Sequence, residues 1–399
     1  MRDRLAKREG GFSLLEMVVS LALGSIVLAA AVQIYVQGVQ ATWITTQRAE
    51  LQQDFRAASN IITKDLSLAG AGLGTTAAIA LPSGVTPVYG CSGTGGSQTT
   101  ATCYIISAAN PSGAVAYPTQ SGAAYLYGLL PGYNDGPTLT GSSGPTDAIT
   151  TVYTDGNFYL DCYTAAMTSA TTVTFTLPTP VAPATGDANC TSPTGNAGAQ
   201  AVNDPAVGLT PGDLVLFTFG LNNVVGEVTT APSGTGLTTF AANDVLKMNQ
   251  GAAVANSLAS EYAAPSNSVT GYATRILVIT YYIDNYTSTT PRLMQQVNGH
   301  APVPVAENVV YVKFTYDLFN DATNLPAVAC SNPGAASDGC GGASAGLLPN
   351  QITKINIQNM AMNSTLLGTQ FGQGNGYQRM DLQTSVCARN LTYVNNYPN

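Results

Sequence analysis

The sequence predicts an α+β fold: one long N-terminal helix packed on an antiparallel, β-rich globular body whose long loops are pinned by disulfides. Three observations carry that expectation. An apolar run from Phe12 to Val36 passes, without proline, into a stretch to Leu68 whose apolar residues recur at helical spacing. Beyond Gly74 the apolar residues gather instead in short runs rich in Val, Ile, Thr, Tyr and Phe, several of them alternating. All seven cysteines lie past the apolar run, as in a domain that folds where disulfides persist.

The first segment, residues 1–11, is a leader with Arg2, Arg4, Lys7 and Arg8 set against Asp3 and Glu9. Residues 12–36 follow as an apolar helix of roughly 37 Å, long enough to cross a bilayer core. Bases before the span and none within it keep the N-terminus cytoplasmic and send the rest outward. The span holds a single charge, Glu16. A carboxylate in a membrane-length apolar helix is expensive and calls for a functional reason. Phe12 and Glu16 stand four residues apart, on one face of a helix that starts at Phe12, and an acid in the first turn suits the helix dipole.

Residues 37–74 continue the helix. Ile44, Leu51, Phe55, Ala58, Ile62 and Leu66 form an apolar stripe, with Arg48, Glu50, Gln52, Asp54, Arg56 and Lys64 mostly on the other side. Trp43, the one tryptophan, sits just past the span as an interfacial anchor or a packing residue. Gly70-Ala71-Gly72-Leu73-Gly74 ends a helix of roughly 85 Å.

Residues 75–399 read as an exported β-rich domain, insertion-rich over 75–250. Strands are expected at 123–130, 149–154, 171–177, 213–219, 224–229, 275–283, 292–296, 308–317, 351–359 and 378–391. Hairpin connections are expected because no helical pattern joins them. Residues 75–122 and 178–210, dense in Gly, Pro, Ser and Thr, read as loops or insertions. Sequence-local pairing would join Cys91 with Cys103, Cys162 with Cys190 and Cys330 with Cys340, each worth about 3 kcal/mol in the chain-entropy model. Spacing alone does not fix the connectivity. Cys387 is left over, and its place in a late strand reads as buried and inert.

Charge narrows the function. Loss of the leader, with four bases and two acids, takes the formal net charge from −8 to −10. An acidic exported body argues against a nucleic-acid surface, and no nucleic-acid partner is expected. Between Lys64 and Lys247 there is no Lys, Arg or His, but ten acids: Asp65, Asp135, Asp147, Asp155, Asp161, Asp187, Asp204, Asp213, Glu227 and Asp244. The stretch reads first as an exposed neutral surface without a ligand, and second as a protease-resistant one with Ca²⁺ loops. Oxygen ligands at Asp155-Gly156-Asn157 with Asp161, and at Asn320-Asp321 with Asn324, approach calcium spacing, but Asx-Gly pairs also simply form turns.

No enzyme, cofactor or metal is expected. His300, the one histidine, has no acid beside it in sequence and reads as a surface loop residue. The chain has no HExxH helix, phosphate loop or paired-carboxylate motif. Tyrosines such as Tyr125, Tyr127, Tyr281 and Tyr282 would be adhesive if exposed, although strand propensity already accounts for them.

The block Gly10-Gly11-Phe12-Ser13-Leu14-Leu15-Glu16, after a short charged leader, resembles the type III signal of prepilins. That resemblance implies cleavage by a prepilin peptidase between Gly11 and Phe12, N-methylation of Phe12, and a role for Glu16 in subunit assembly by pairing with a neighbour's N-terminal amine. An ordinary secretory signal cut near Ala29-Ala30-Ala31 fits less well, because Glu16 would spoil its apolar core. A plain anchor leaves Glu16 unexplained. Leu66–Gly74, Arg292–Val297, Val305–Asp317 and Thr384–Leu391 further resemble PilW-type minor pilins of type IV pili, with a pilin-like fold. That family implies major and minor pilins as partners, storage in the inner membrane with the domain periplasmic, and display on the pilus at the cell surface. A J-type pseudopilin of a type II secretion system shares the signal, and an adhesin carried on the pilus is the alternative from another class.

Overall fold

The computed structural model describes residues 11–74, 78–94, 97–120, 122–139, 144–177, 200–264, 269–286, 290–320, 325–333, 347–364 and 379–391. The chain divides into two compact units, Met1–Gln53 with Ser364–Gln378 and Asp54–Asn363 with Arg379–Asn399. The helix Leu14–Ser67, 54 residues long, contributes to both.

In the first unit the helix begins at Leu14 and not at Phe12. Ser13 takes the N-cap position, its hydroxyl accepting from the Glu16 amide at 3.2 Å. Phe12 therefore stands ahead of the helix, and the expected pairing of Phe12 and Glu16 on one helical face is not formed. Along the apolar run the small hydroxyls fold back on the helix. Ser20 donates to the Met17 carbonyl at 3.0 Å and Ser25 to that of Ala22 at 2.8 Å, while Thr42 and Thr45 do the same further on. Each of these hydroxyls is thus satisfied within its own turn, as an apolar surrounding requires.

The second unit is built around a ten-stranded antiparallel sheet. Its spine is the fifteen-residue strand Thr270–Asp284. Ala148–Thr154 and Thr164–Ser169 pair along one edge of it, and Leu214–Phe219 and Arg292–Val297 along the other. A four-stranded sheet, in the order Leu325–Cys330, Val309–Asn320, Ile352–Asn363, Arg379–Cys387, completes the unit. Most of the expected strands are present within a few residues of the expected limits. The one expected over 123–130 is instead two strands in different sheets, Ala123–Tyr127 and Leu129–Gly132. The one expected over 378–391 ends at Cys387, with residues 389–391 helical.

The ten-stranded sheet is covered on both faces. On one lie the last turns of the helix, where Phe55, Ala58, Ile62 and Leu66 are buried. On the other, Val152, Ile276, Val278, Tyr282 and Met294 pack with Ile79, Leu81, Tyr89, Cys91, Ile105, Tyr117 and Leu126. Residues 78–120 are therefore not the loops expected. They form short strands, Ala78–Ala80, Val88–Tyr89, Cys91–Thr94, Ser97–Cys103, Val115–Ala116 and Thr119–Gln120, that roof the core. Burial of their scattered apolar residues, rather than periodicity, holds them there.

Cys91 and Cys103 lie opposite each other in one hairpin and are bonded. Cys162 and Cys330 are disulfide-bonded as well; Cys190 and Cys340, with which they were expected to pair, lie outside the described residues. Cys387 is free and exposed, against the expectation of a buried thiol. The strand Arg379–Cys387 alternates, and the register turns Met380, Leu382, Thr384 and Val386 inward and Cys387 outward.

The helix is fixed to the sheet by a buried acid. Asp65 accepts from the Tyr281 hydroxyl at 2.5 Å, from Gln295 Nε2 at 3.1 Å and from the Tyr153 hydroxyl at 3.2 Å. Burial and the adjoining Asp65 push both tyrosines well above the ordinary phenol value, so they remain donors. Just beyond, Gly70 and Ala71 bond to Val152 and Thr154 of the sheet. Gly72, at φ +75°, passes so close that a Cβ there would collide with the Thr154 hydroxyl.

Replacing Asp65 by Ala takes the acceptor from two buried tyrosine hydroxyls, while Gln295 Nε2 keeps the Tyr281 oxygen at 2.7 Å. It should cost about 2–4 kcal/mol, read from the midpoint of urea unfolding, whereas Tyr281→Phe removes one hydroxyl and should cost about 1 kcal/mol. Equal losses from the two variants would show that Asp65 is not the shared acceptor.

Candidate functional site

The processing signal lies at the exposed head of the helix. Gly11 lies ahead of the helix and is exposed, and a Cβ there would meet nothing within 4 Å. Phe12 is 86% exposed. Glu16 is exposed in the first helical turn, at the third position after the Ser13 cap. Ser13-x-x-Glu16 is the spacing of a capping box, a signal present in the sequence and not used in reading it. From Leu14 to Val39 the helix presents Leu, Ile, Val and Met outward. Its most apolar window has a mean hydropathy of 2.3 and no buried share, so by length and composition this helix can cross a membrane.

The acids of the basic-free stretch do not form the exposed surface expected of them. Asp65, Asp147, Asp155, Asp213, Glu227 and Asp244 are buried. Arg275, from the spine strand, holds two of these acids. Its Nε donates to Asp155 at 2.9 Å and its Nη2 also contacts that carboxylate; Nη1 donates to the Gly208 carbonyl at 3.1 Å and lies 3.6 Å from Asp213. The Phe158 ring stacks 4.7 Å from the guanidinium.

His300 is not a free surface histidine either. Its Nε2 lies 2.9 Å from Asp213 Oδ1, a partner 87 residues away in sequence. Burial pushes the Asp213 carboxyl up, but the His300 contact, the Thr210 amide and Arg275 outweigh it and leave it below the ordinary value.

Two further carboxyls meet without a motif to announce them. Glu227 and Asp244 are both buried, and burial raises both above their ordinary values, Glu227 further through the adjacent Asp244. The Leu246 amide donates to Glu227, and those of Met248 and Asn249 to Asp244.

Of the calcium-like loops, Asp155 accepts from the Asn157 amide at 2.8 Å and from Arg275, the pattern of a turn closed by an ion pair. Asp321 and Asn324 lie outside the described residues. Tyr127, Tyr281 and Tyr282 are buried, which removes them as adhesive groups. Trp43 is 56% exposed.

With this geometry in place, residues 6–32 match the family model described as "Prokaryotic N-terminal methylation motif". No curated protein and no solved structure matches the chain. The chain thus carries a prepilin-type signal at the head of an apolar helix, which supports a type IV pilin-like protein in the broad sense that includes pseudopilins. The signal implies processing by a prepilin peptidase and assembly with other pilins, and the helix fits a single-pass membrane anchor.

The β-rich body has a pH dependence of its own. Burial and the adjacent Asp147 push Asp135 up to about 6 from 3.8. An acid raised in the folded state stabilises it fully below the ordinary value and loses that contribution as pH rises through the raised one. Folding stability should therefore fall by about 2 kcal/mol between about pH 4 and 6 on account of Asp135, and Asp135→Asn should remove that part of the fall. Calorimetry across the range checks it; an unchanged slope in the variant would contradict the assignment.

Proposed function

We propose that the chain is a minor pilin of PilW type, stored in the inner membrane with its body in the periplasm. It is cut between Gly11 and Phe12, methylated at Phe12, and recruited into a type IV pilus, where it helps start the fibre or stands at its tip. It is a structural subunit and not an enzyme. The observation that carries this reading is the match of residues 6–32 to the methylation motif at the head of an apolar helix with no buried share in its most apolar window. Such a helix is stable in lipid and equally able to bundle with others like it.

Glu16 supplies selectivity. In the bilayer its carboxylate is a cost. Beside the N-terminal amine of a neighbouring subunit it gains an opposite charge in a medium of low dielectric, where such a pair is strong. Recruitment then relieves a charge that membrane storage leaves unpaired. The same signal serves the pseudopilins of secretion systems, so the choice of pilus rests on the resemblance of the helix end and late strands to PilW-type subunits.

Glu16→Ala should leave the membrane pool of the subunit unchanged and lower its share in sheared filaments about tenfold, a loss of about 1.4 kcal/mol. Immunoblots of membrane and filament fractions read both. Equal incorporation of variant and natural chain would remove Glu16 from assembly.

A further inference from the structure

Lys313 lies on the strand Val309–Asn320, and Asn134 and Asp147 lie in the connection between the strands Leu129–Gly132 and Ala148–Thr154. The Lys313 Nζ is 2.5 Å from Asn134 Oδ1 and 2.6 Å from Asp147 Oδ1. The site is nearly dry: 14% of the Lys313 side chain and 2% of that of Asp147 are exposed, and the Tyr133 ring lies 4.9 Å from the amine.

The partners are rigidly placed. Asp147 is held by the Asn134 amide at 2.9 Å and the Phe314 amide at 3.0 Å. Asn134 adopts φ +60°, a left-handed conformation that asparagine tolerates better than most residues. Burial raises the Asp147 carboxyl above its ordinary value, against the opposing pull of these amides and of Lys313.

A structural ion pair would need only the amine and the carboxylate. Here a side-chain amide also faces the amine, so a nucleophile, a carbonyl electrophile and a proton carrier occupy one point. Reacting groups held in this way gain the large rate advantage of an intramolecular reaction. A desolvated lysine beside a proton acceptor is an activated nucleophile.

We propose that Lys313 and Asn134 join through an intramolecular isopeptide bond, with Asp147 moving the protons. The Lys313 ammonium passes a proton to Asp147. The neutral amine adds to Asn134 Cγ, forming a C–N bond and placing the electron pair of the C=O bond on oxygen. Asp147 returns its proton to Nδ2, the carbonyl reforms, and the Cγ–Nδ2 bond breaks. Nδ2 leaves as ammonia and takes up the remaining amine proton as ammonium. No oxidant or cofactor enters the balance, and Asp147 ends as it began.

The bond closes a loop between positions 179 residues apart and ties the four-stranded sheet to the ten-stranded one. Such a tie keeps the sheets from parting under load. That use rests on the filament reading, but the bond itself does not.

Intact mass spectrometry of the full chain, purified from membranes and denatured, tests the bond, and peptide mapping locates it. The processed chain should be lighter by one ammonia than its sequence and disulfides require, and one cross-linked peptide should hold Asn134 and Lys313. Lys313→Arg keeps the ion pair with Asp147 but cannot form the bond, so it should fold and show the full mass. A natural chain of full mass, or a cross-link from Lys313 to Asp147 with loss of water, overturns the proposal. Asp147→Asn should fold with the bond unmade or slowed; formation at the natural rate would overturn the proton-transfer role.

Discussion

The buried carboxylates among the described residues are costly unless matched, and the long stretch that supplies most of them contains no base. That constraint shapes the second unit. Arg275 comes to Asp155 and Asp213, His300 to Asp213, and Lys313 to Asp147, all from beyond residue 270. Where no base arrives, other groups serve. Asp65 is held by two tyrosine hydroxyls and a glutamine amide, and Glu227 and Asp244 by backbone amides. Removing one partner from such an arrangement leaves a buried group uncompensated, which costs more than the pair contributes. Acids in the first part of the domain and bases in the last part therefore interlock, and the fold depends on contacts distant in sequence. Domains of that kind fold slowly.

The N-terminal helix meets the opposite constraint. Its apolar length stands exposed, and its few hydroxyls are satisfied by carbonyls one turn back. Ser13 caps the helix and leaves Phe12 and Gly11 outside it, where a peptidase can reach the chain. Within one helix the residue pattern thus changes solvent: lipid or other helices for the first half, a protein sheet for the turns around Asp65. Glu16 and Asp65 are both acids on this helix, one displayed at its head and one locked by hydrogen bonds near its end.

Much of the architecture was legible in the sequence because it rests on periodicity. The helix followed from apolar spacing and glycines, and strands such as Leu214–Phe219 from dense β-branched and aromatic residues. The spine was expected over 275–283 and extends to Thr270–Asp284, because partner strands continue past its most apolar part. Thr164–Ser169 went unread: Ala, Met and Ser carry little strand preference and dilute its two threonines, and it forms because strands lie on both sides of it. The roof over the core was hidden for a related reason. Four of its strands have only two or three residues, and Cys91–Thr94 and Ser97–Cys103 are made mostly of Ser, Thr and Gly, with few large apolar residues to show a period.

The N-terminal methylation motif was legible because its residues are contiguous in sequence. The charged interior was not, because Asp213 and His300, or Asn134 and Lys313, meet only through the fold. Asp65 left a faint trace, as an acid beside the apolar stripe of Ala58, Ile62 and Leu66. The account depends most on what happens at the Gly11–Phe12 bond. The deciding measurement is the N-terminal residue of the chain recovered from the cell envelope and from sheared surface fibres, read by mass spectrometry. The account predicts N-methylated Phe12 in both; a chain that begins near Val32, or one that keeps its leader in the fibres, would contradict it.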